Sequence, residues 1–151
     1  MNTIAYLQFD GKTEEALMFY EKALQATSVK KVKFGALGQD PSAPLTEEEQ
    51  DMIMESRIEF LGNVLMMSDV LPSMQAITGK TSIGNNLLIS IIDADPEISK
   101  QIFEALSVDG KIIMPLSSTP WSANFGMVVD KFDVVWKFNS EASKFLDSFI
   151  N

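Results

Sequence analysis

Apolar and polar positions alternate loosely through residues 3–9 (Thr-Ile-Ala-Tyr-Leu-Gln-Phe), as in a strand. Asp10-Gly11-Lys12 then turns the chain. Thr13 is the expected N-cap of a helix over about 13–25, with Glu14 and Glu15 at the positive end of its dipole. Ala16, Leu17, Tyr20 and Leu24 fall at helical spacing, with Phe19 beside them. Residues 28–37 read as an exposed strand with its lysines outward. Residues 38–46 hold Pro41 and Pro44 and form a loop, and Thr46-Glu47-Glu48-Glu49 matches a capping box for one short helical turn. Strands are expected at about 52–61 and 63–69, joined by a tight turn at Leu61-Gly62-Asn63. Residues 70–85, with Pro72, Gly79 and Gly84, read as a linker or mobile flap.

The second half repeats the order. A strand over 86–93 leads to Asp95-Pro96, an N-cap followed by proline at the first helical position. Ile98, Ile102, Phe103 and Leu106 line one face of a helix over about 96–107. Strands follow at about 111–115, 123–129 and 132–139, and Ser140 is the expected cap of a C-terminal helix over 140–150. Each half thus reads strand, helix, three strands. An offset of 84 carries Phe19 onto Phe103, Tyr6 onto Ser90 and Leu7 onto Ile91. A helix on one face leaves each four-stranded sheet a second face to cover. The expected fold is therefore α+β: paired βαβββ modules forming a cupped mixed β-sheet with helices on the outer face. They make one domain, with module one about 1–69, a linker about 70–85, module two about 86–139, then the terminal helix. A ferredoxin-like domain with extra strands shares part of this order.

Composition narrows the chemistry. The chain has 151 residues with 46% hydrophobic and 22% charged, which suits a globular domain. Apolar runs such as Val64-Leu65-Met66-Met67 are too short for a membrane span, and the opening residues read as strand rather than signal peptide. A cytoplasmic protein is expected. The net charge of −9 disfavours nucleic acid and anionic membranes as partners. There is no cysteine and no histidine, so disulfides, thiolate metal sites and a Ser-His-Asp triad are excluded. A metal site would have to use carboxylates, carbonyls and water.

Several segments carry a family pattern. Tyr6-Leu7-Gln8-Phe9-Asp10-Gly11 with Glu15-Ala16 and Phe19-Tyr20 resembles the opening of PhnB-like proteins. Ile53-Met54, Arg57-Ile58-Glu59-Phe60 and Gly62 to Asp69 resemble their middle. Phe103 to Leu106, Gly110-Lys111 and Met114-Pro115-Leu116 fit the second helix and strand. Trp121, Phe125-Gly126, Asp130-Lys131-Phe132, Trp136 and Asn139 resemble their closing signature. PhnB-like proteins belong to the glyoxalase, bleomycin-resistance and extradiol-dioxygenase (vicinal oxygen chelate) superfamily. The resemblance implies paired βαβββ modules and a homodimer. Superfamily enzymes take metal ligands, as histidine or glutamate, from the first and last strand of each module. Those positions fall near Tyr6, Met66, Ser90 and Lys137, a poor metal site, so no cofactor is expected. Some relatives bear a ubiquinone-type methyltransferase label, but no Gly-rich turn follows the first strand here to hold S-adenosylmethionine.

Strand alternation sorts the candidate site. Met52, Met54, Ser56, Ile58 and Phe60 form an apolar row expected under a helix. Ile53, Glu55, Arg57 and Glu59 form the other row, facing the cup or solvent. Tyr6 and Gln8 point toward the cup and, by the repeat, so does Ser90. Relatives carry histidine where this chain has Glu55, which makes Glu55 the candidate base, its carboxyl held protonated to higher pH by burial. The plainer reading has Glu55 and Glu59 flanking Arg57 as ion pairs. Trp136 is expected in the core, and Trp121 at the rim, against a ligand or a partner subunit. The methionines fill core gaps or shape an adaptable apolar pocket. Gly79-Lys80-Thr81 lacks the upstream glycine of a phosphate loop.

Three readings follow. One is a metal-free protein that binds an unidentified small molecule in the inter-module cup through Tyr6, Gln8, Arg57, Glu59, Ser90, Trp121 and Lys137. Another is an enzyme, lyase, isomerase or oxygenase-like, using Glu55, Arg57 and Tyr6 with or without a carboxylate-bound divalent metal. A third is a dimer with no small ligand.

Overall fold

The computed structural model describes residues 1–149, so the end of the expected 140–150 helix lies outside the described residues. The chain divides into two compact units, Met1–Ser82 and the remainder from Ile83. Each contains a four-stranded mixed sheet and a helix of 11 residues.

In the first unit, β1 (Ala5–Phe9) leads into α1 (Thr13–Ala23), followed by β2 (Ser28–Lys33), the short α2 (Glu47–Asp51), β3 (Ile53–Phe60) and β4 (Asn63–Asp69). The sheet order is β1-β4-β3-β2, with β1 parallel to β4 and the other pairs antiparallel. The β3–β4 hairpin turns through Leu61 and Gly62, both at positive φ, which suits the twist of the strands it joins. Alternation sorts β3 as expected: Ser56, Ile58 and Phe60 are buried with Leu65 and Met67 of β4, and α1 packs over them with Ala16, Leu17 and Tyr20. Ile53 departs from the polar row. It is fully buried, beyond the point where the β2–β3 register shifts at Val32/Lys33.

Two caps differ from expectation. Thr13 is the first helical residue of α1, and the cap comes from Asp69, 56 residues away. Thr13 N and Thr13 Oγ1 donate to Asp69 Oδ1 at 3.0 and 2.7 Å, and Ile53 N donates to Oδ2 at 2.9 Å. The capping box at Thr46 and Glu49 forms as the sequence reads it. Residues 70–85 hold a 3-10 turn (Pro72–Met74) and a one-turn helix, α3 (Gln75–Thr78).

In the second unit, β5 (Ile89–Ile92), α4 (Pro96–Leu106), β6 (Lys111–Thr119), β7 (Ser122–Val129) and β8 (Val135–Asn139) repeat the topology as β5-β8-β7-β6, and α5 (Ala142–Asp147) follows. Asp95 Oδ1 caps α4, accepting from Glu97 N and Ile98 N at 2.9 and 3.2 Å. Ser140 does not cap α5. Asp93 Oδ1 accepts from Ser143 N at 3.0 Å instead, and the Ser143 hydroxyl also bonds the Asp93 carboxylate. β8 starts three residues later than expected because Asp130 organises the turn before it. Its carboxylate accepts from Phe132 N, Val134 N and Trp136 Nε1. Trp136 is fully buried, as its expected core role requires. The helix correspondence shifts by one residue: Tyr20 is fully buried as Phe103 nearly is, whereas Phe19 is half-buried. Among the described residues, no helix is long and apolar enough to cross a membrane.

Candidate functional site

The face of the first sheet turned away from α1 is set by strand register. Tyr6 of β1 stands opposite Met66 of β4, Met66 opposite Arg57 of β3, and Arg57 opposite Lys30 of β2. One step along, Gln8 stands opposite Ser68, and Glu55 opposite Val32. Ser56 pairs with Met67, so the same ladder brings Glu55 beside Ser68. A row on the other side holds Glu59, opposite Val64 and Ser28. Tyr6 and Gln8 are exposed, Glu55 is half-buried and Ser68 is buried.

Three of these groups form a polar centre. The Tyr6 phenol sits above its ordinary pKa of 10.0, because partial burial disfavours the phenolate. The Ser68 hydroxyl, by hydrogen bonding, pulls the other way, while the Glu55 carboxylate raises it further by hydrogen bonding and by its charge. Glu55 Oε1 is buried and has no hydrogen-bond partner among the described residues. Arg57 does not supply one. The Arg57 guanidinium pairs with Glu59 at 3.0 Å, both side chains well exposed. The expected Glu55–Arg57–Glu59 row therefore divides, Glu59 to arginine and Glu55 to tyrosine. Ser68 had no place in the sequence reading. Its signal was parity, since it stands two residues from Met66 on the same strand.

In the second unit, Ser90 stands opposite Lys137, and Lys137 opposite Met127. This repeats the Tyr6–Met66–Arg57 row in equivalent places. Ser90 is exposed, and the half-buried Lys137 holds its Nζ 5.8 Å from the Phe125 ring centre. Trp121 lies in the β6–β7 turn, 43% exposed, with its ring 6.2 Å from Phe125 and 6.0 Å from Phe145. Pro120, Trp121, Glu141, Lys144, Phe145 and Ser148 line a groove of about 370 Å³ there.

The superfamily's metal positions thus hold a phenol, a thioether, a hydroxyl and an ammonium group. A thioether is a soft ligand and an ammonium repels a cation, so these residues do not fit a divalent ion. Among the described residues, no group of three or more His, Cys, Asp or Glu side chains is placed to hold one.

Two βαβββ modules, each with a four-stranded mixed sheet, define the glyoxalase-like fold of the vicinal oxygen chelate superfamily. Within it, this chain belongs to the PhnB-like family that includes YjdN. It is 32% identical over 140 residues to Protein YjdN of Escherichia coli (strain K12), covering 89% of this chain and 91% of that one. The crystal structure of protein PA1353 from Pseudomonas aeruginosa matches with a TM-score of 0.74 at 28% identity, covering 92% of this chain and 96% of that one. A PhnB protein from Bacillus cereus, titled a putative 3-demethylubiquinone-9 3-methyltransferase, matches with a TM-score of 0.65 at 22% identity, covering 92% and 98%. No family model matches the chain.

Proposed function

We propose that this protein binds a small, partly apolar molecule on the face of the first sheet that carries Tyr6, Gln8, Glu55, Arg57, Glu59 and Ser68, with no metal ion activating it. The observation that supports this reading is the polar centre on that face, where the exposed Tyr6 phenol is hydrogen-bonded with both Ser68 and Glu55. In the second unit, taken by itself, Ser90, Lys137 and Trp121 are the proposed ligand contacts. Self-association as a homodimer belongs to the same reading, supported by the family resemblance and by exposed Ile112, Ile113 and Met114 on β6.

A thermal-shift screen of small molecules tests it. A ligand that binds only the native state stabilises by about 2.7 kcal/mol at a hundred times its Kd. The expected shift is lost in Tyr6→Ala and Glu55→Gln variants that keep their own unliganded melting temperature. Stoichiometric metal in the purified protein overturns the metal-free part. A second reading, favoured by the half-buried Glu55 carboxylate beside the Tyr6 phenol, has Glu55 take a proton from the bound molecule. Solvent deuterium entering a bound ligand in the wild type but not in Glu55→Gln would establish it.

A further inference from the structure

We propose that the groove between α5 and the β6–β7 turn is a second ligand site, which takes a flat aromatic carboxylate. The ring lies against Trp121, Phe145 and Pro120, and the carboxylate accepts from the Lys144 ammonium. This site stands apart from the face of the first sheet and shares only Trp121 with the contacts proposed above. Its walls are pinned by hydrogen bonds on both sides of α5. Ala123 N of β7 donates to Glu141 Oε2 at 3.0 Å, and Ser140 N donates to Asn124 O of β7 at 3.0 Å. Ser143 N donates to Asp93 Oδ1, just beyond β5, at 3.0 Å. These bonds set α5 against the start of β7, where the Phe145 and Trp121 ring centres lie 6.0 Å apart with their planes tilted by 45°. The space of about 370 Å³ is at the small end of the range for small-molecule pockets.

Polar capacity selects the head group of the ligand. Glu141 is engaged at both oxygens, Oε2 by Ala123 N and Oε1 by Lys144 Nζ at 2.8 Å. The Ser148 hydroxyl gives its proton to Phe145 O at 2.6 Å. Lys144 is the opposite case. An ammonium has several N–H donors and no acceptor, and this one gives a single bond to Glu141 from a side chain that is 82% exposed. A ligand therefore reaches it from solvent. The Trp121 indole, 43% exposed, is also a donor without an acceptor. The groove offers donors, so the ligand supplies acceptors, and a carboxylate matches the ammonium in charge as well. Hydrogen bonding to Glu141 holds the Lys144 ammonium protonated above its ordinary 10.5. The net charge of −9 opposes an anion at long range, but physiological salt screens that field over about 8 Å, so the contact with Lys144 decides. The walls select the body of the ligand. Phe149, with its ring 5.1 Å from Phe145, extends the aromatic surface, and an aromatic ring packs on such faces offset or edge-on.

Three probes decide the matter: 2-naphthoate, 2-naphthamide and 2-naphthylmethylammonium, titrated near neutral pH against the full chain and followed by NMR. The chain has two tryptophans, so one indole N–H signal reports on Trp121 and the other on Trp136, whose N–H is bonded to Asp130 in the core. 2-Naphthoate is expected to shift the Trp121 signal and the Phe145 and Ser148 amides while Trp136 stays in place. It should bind about threefold tighter than the amide, the scale of one exposed charge pair, and the ammonium should bind weakest. Lys144→Gln should bring the naphthoate down to the amide and leave the amide unchanged. The wild-type comparison needs no variant, so a Lys144→Gln protein that failed to fold would not blunt the test. If the amide or the ammonium moves the same residues as tightly as the naphthoate, the carboxylate class is overturned. If no probe moves the Trp121 signal, or if Trp136 moves with it, the groove is not a site and the proposal falls. The Tyr6 and Gln8 amides, followed in the same titrations, report on the face of the first sheet separately.

Discussion

Asp69 and Glu55 are carboxylates on adjacent strands, and their surroundings separate their roles. Asp69 accepts three buried hydrogen bonds that tie the start of α1 to the start of β3. Replacing it with alanine orphans three donors, and the expected loss is about 3–5 kcal/mol of unfolding free energy by urea titration. Asp69→Asn, which keeps acceptor capacity at one position, should lose less. A loss under about 1 kcal/mol in Asp69→Ala would show that other groups satisfy those donors. Glu55 is the opposite case, and its effect is readable through Tyr6. Removing its charge in Glu55→Gln should lower the Tyr6 pKa, and Ser68→Ala should raise it, as read from ultraviolet titration with Tyr6→Phe as the reference. The sign for stability follows from linkage. The folded phenol holds its proton to higher pH than the unfolded one, so its contribution is complete below the ordinary value of 10.0. It fades as pH rises from there through the folded pKa. Neither arrangement was legible in the sequence as an interaction. Local rules found Asp95 and the Thr46–Glu49 box, whose partners lie within three residues, and missed Asp69, whose partner lies 56 residues away.

Among the elements, alternation located the strands, and their ends were set by features that alternation does not encode. β6 runs on to Thr119, past Pro115, because its ladder to β7 shifts register between Met114 and Ser117. Pro115 is tolerated there because β6 is an edge strand. Gly126 faces that bulge, where an added Cβ would lie 2.9 Å from Leu116 Cα and 3.0 Å from Leu116 N. Gly126→Ala is therefore expected to cost about 1–3 kcal/mol in chemical denaturation, the range for overpacking. A neutral result would mean that the bulge yields. The α2 segment carries a pH dependence of its own. Buried Glu49 joins the capping box to residue 73: the Ser73 hydroxyl and backbone N–H, with Thr46 N–H, hold its carboxyl below the ordinary 4.5. Its folded pKa is depressed, so this support is whole above the ordinary value and is lost as pH falls through the folded one. Hydrogen exchange at the Ser73 amide should speed up, relative to intrinsic exchange, over that interval. In Glu49→Gln that added acid dependence should be absent.

Across the whole molecule, element order carried the information that residue identity did not. The two modules share almost no side chains, yet Tyr6–Met66–Arg57 and Ser90–Lys137–Met127 are equivalent rows, because the same pairing scheme builds both sheets. The make-up of the site was less legible. Parity placed Tyr6, Gln8, Glu55, Arg57 and Glu59 on one face, but only packing shows which carboxylate arginine takes and which bonds the Tyr6 phenol. The second sheet also raises a question of assembly. Its edge strand β6 exposes Ile112 and Ile113 at 49% and Met114 at 42%, on both faces of the strand. Long apolar edges invite pairing with another chain, and proteins that stay monomeric usually blunt them with charge or cover. A homodimer is the assembly we propose, and light scattering should then give twice the chain mass of 16.7 kDa, with a melting temperature that rises with concentration. Ile113→Lys places a charge on that edge while leaving the buried core residues untouched, so it should move the mass toward one chain and remove the concentration dependence. A wild-type mass of one chain across the accessible concentration range would leave β6 an unpaired edge and overturn the dimer.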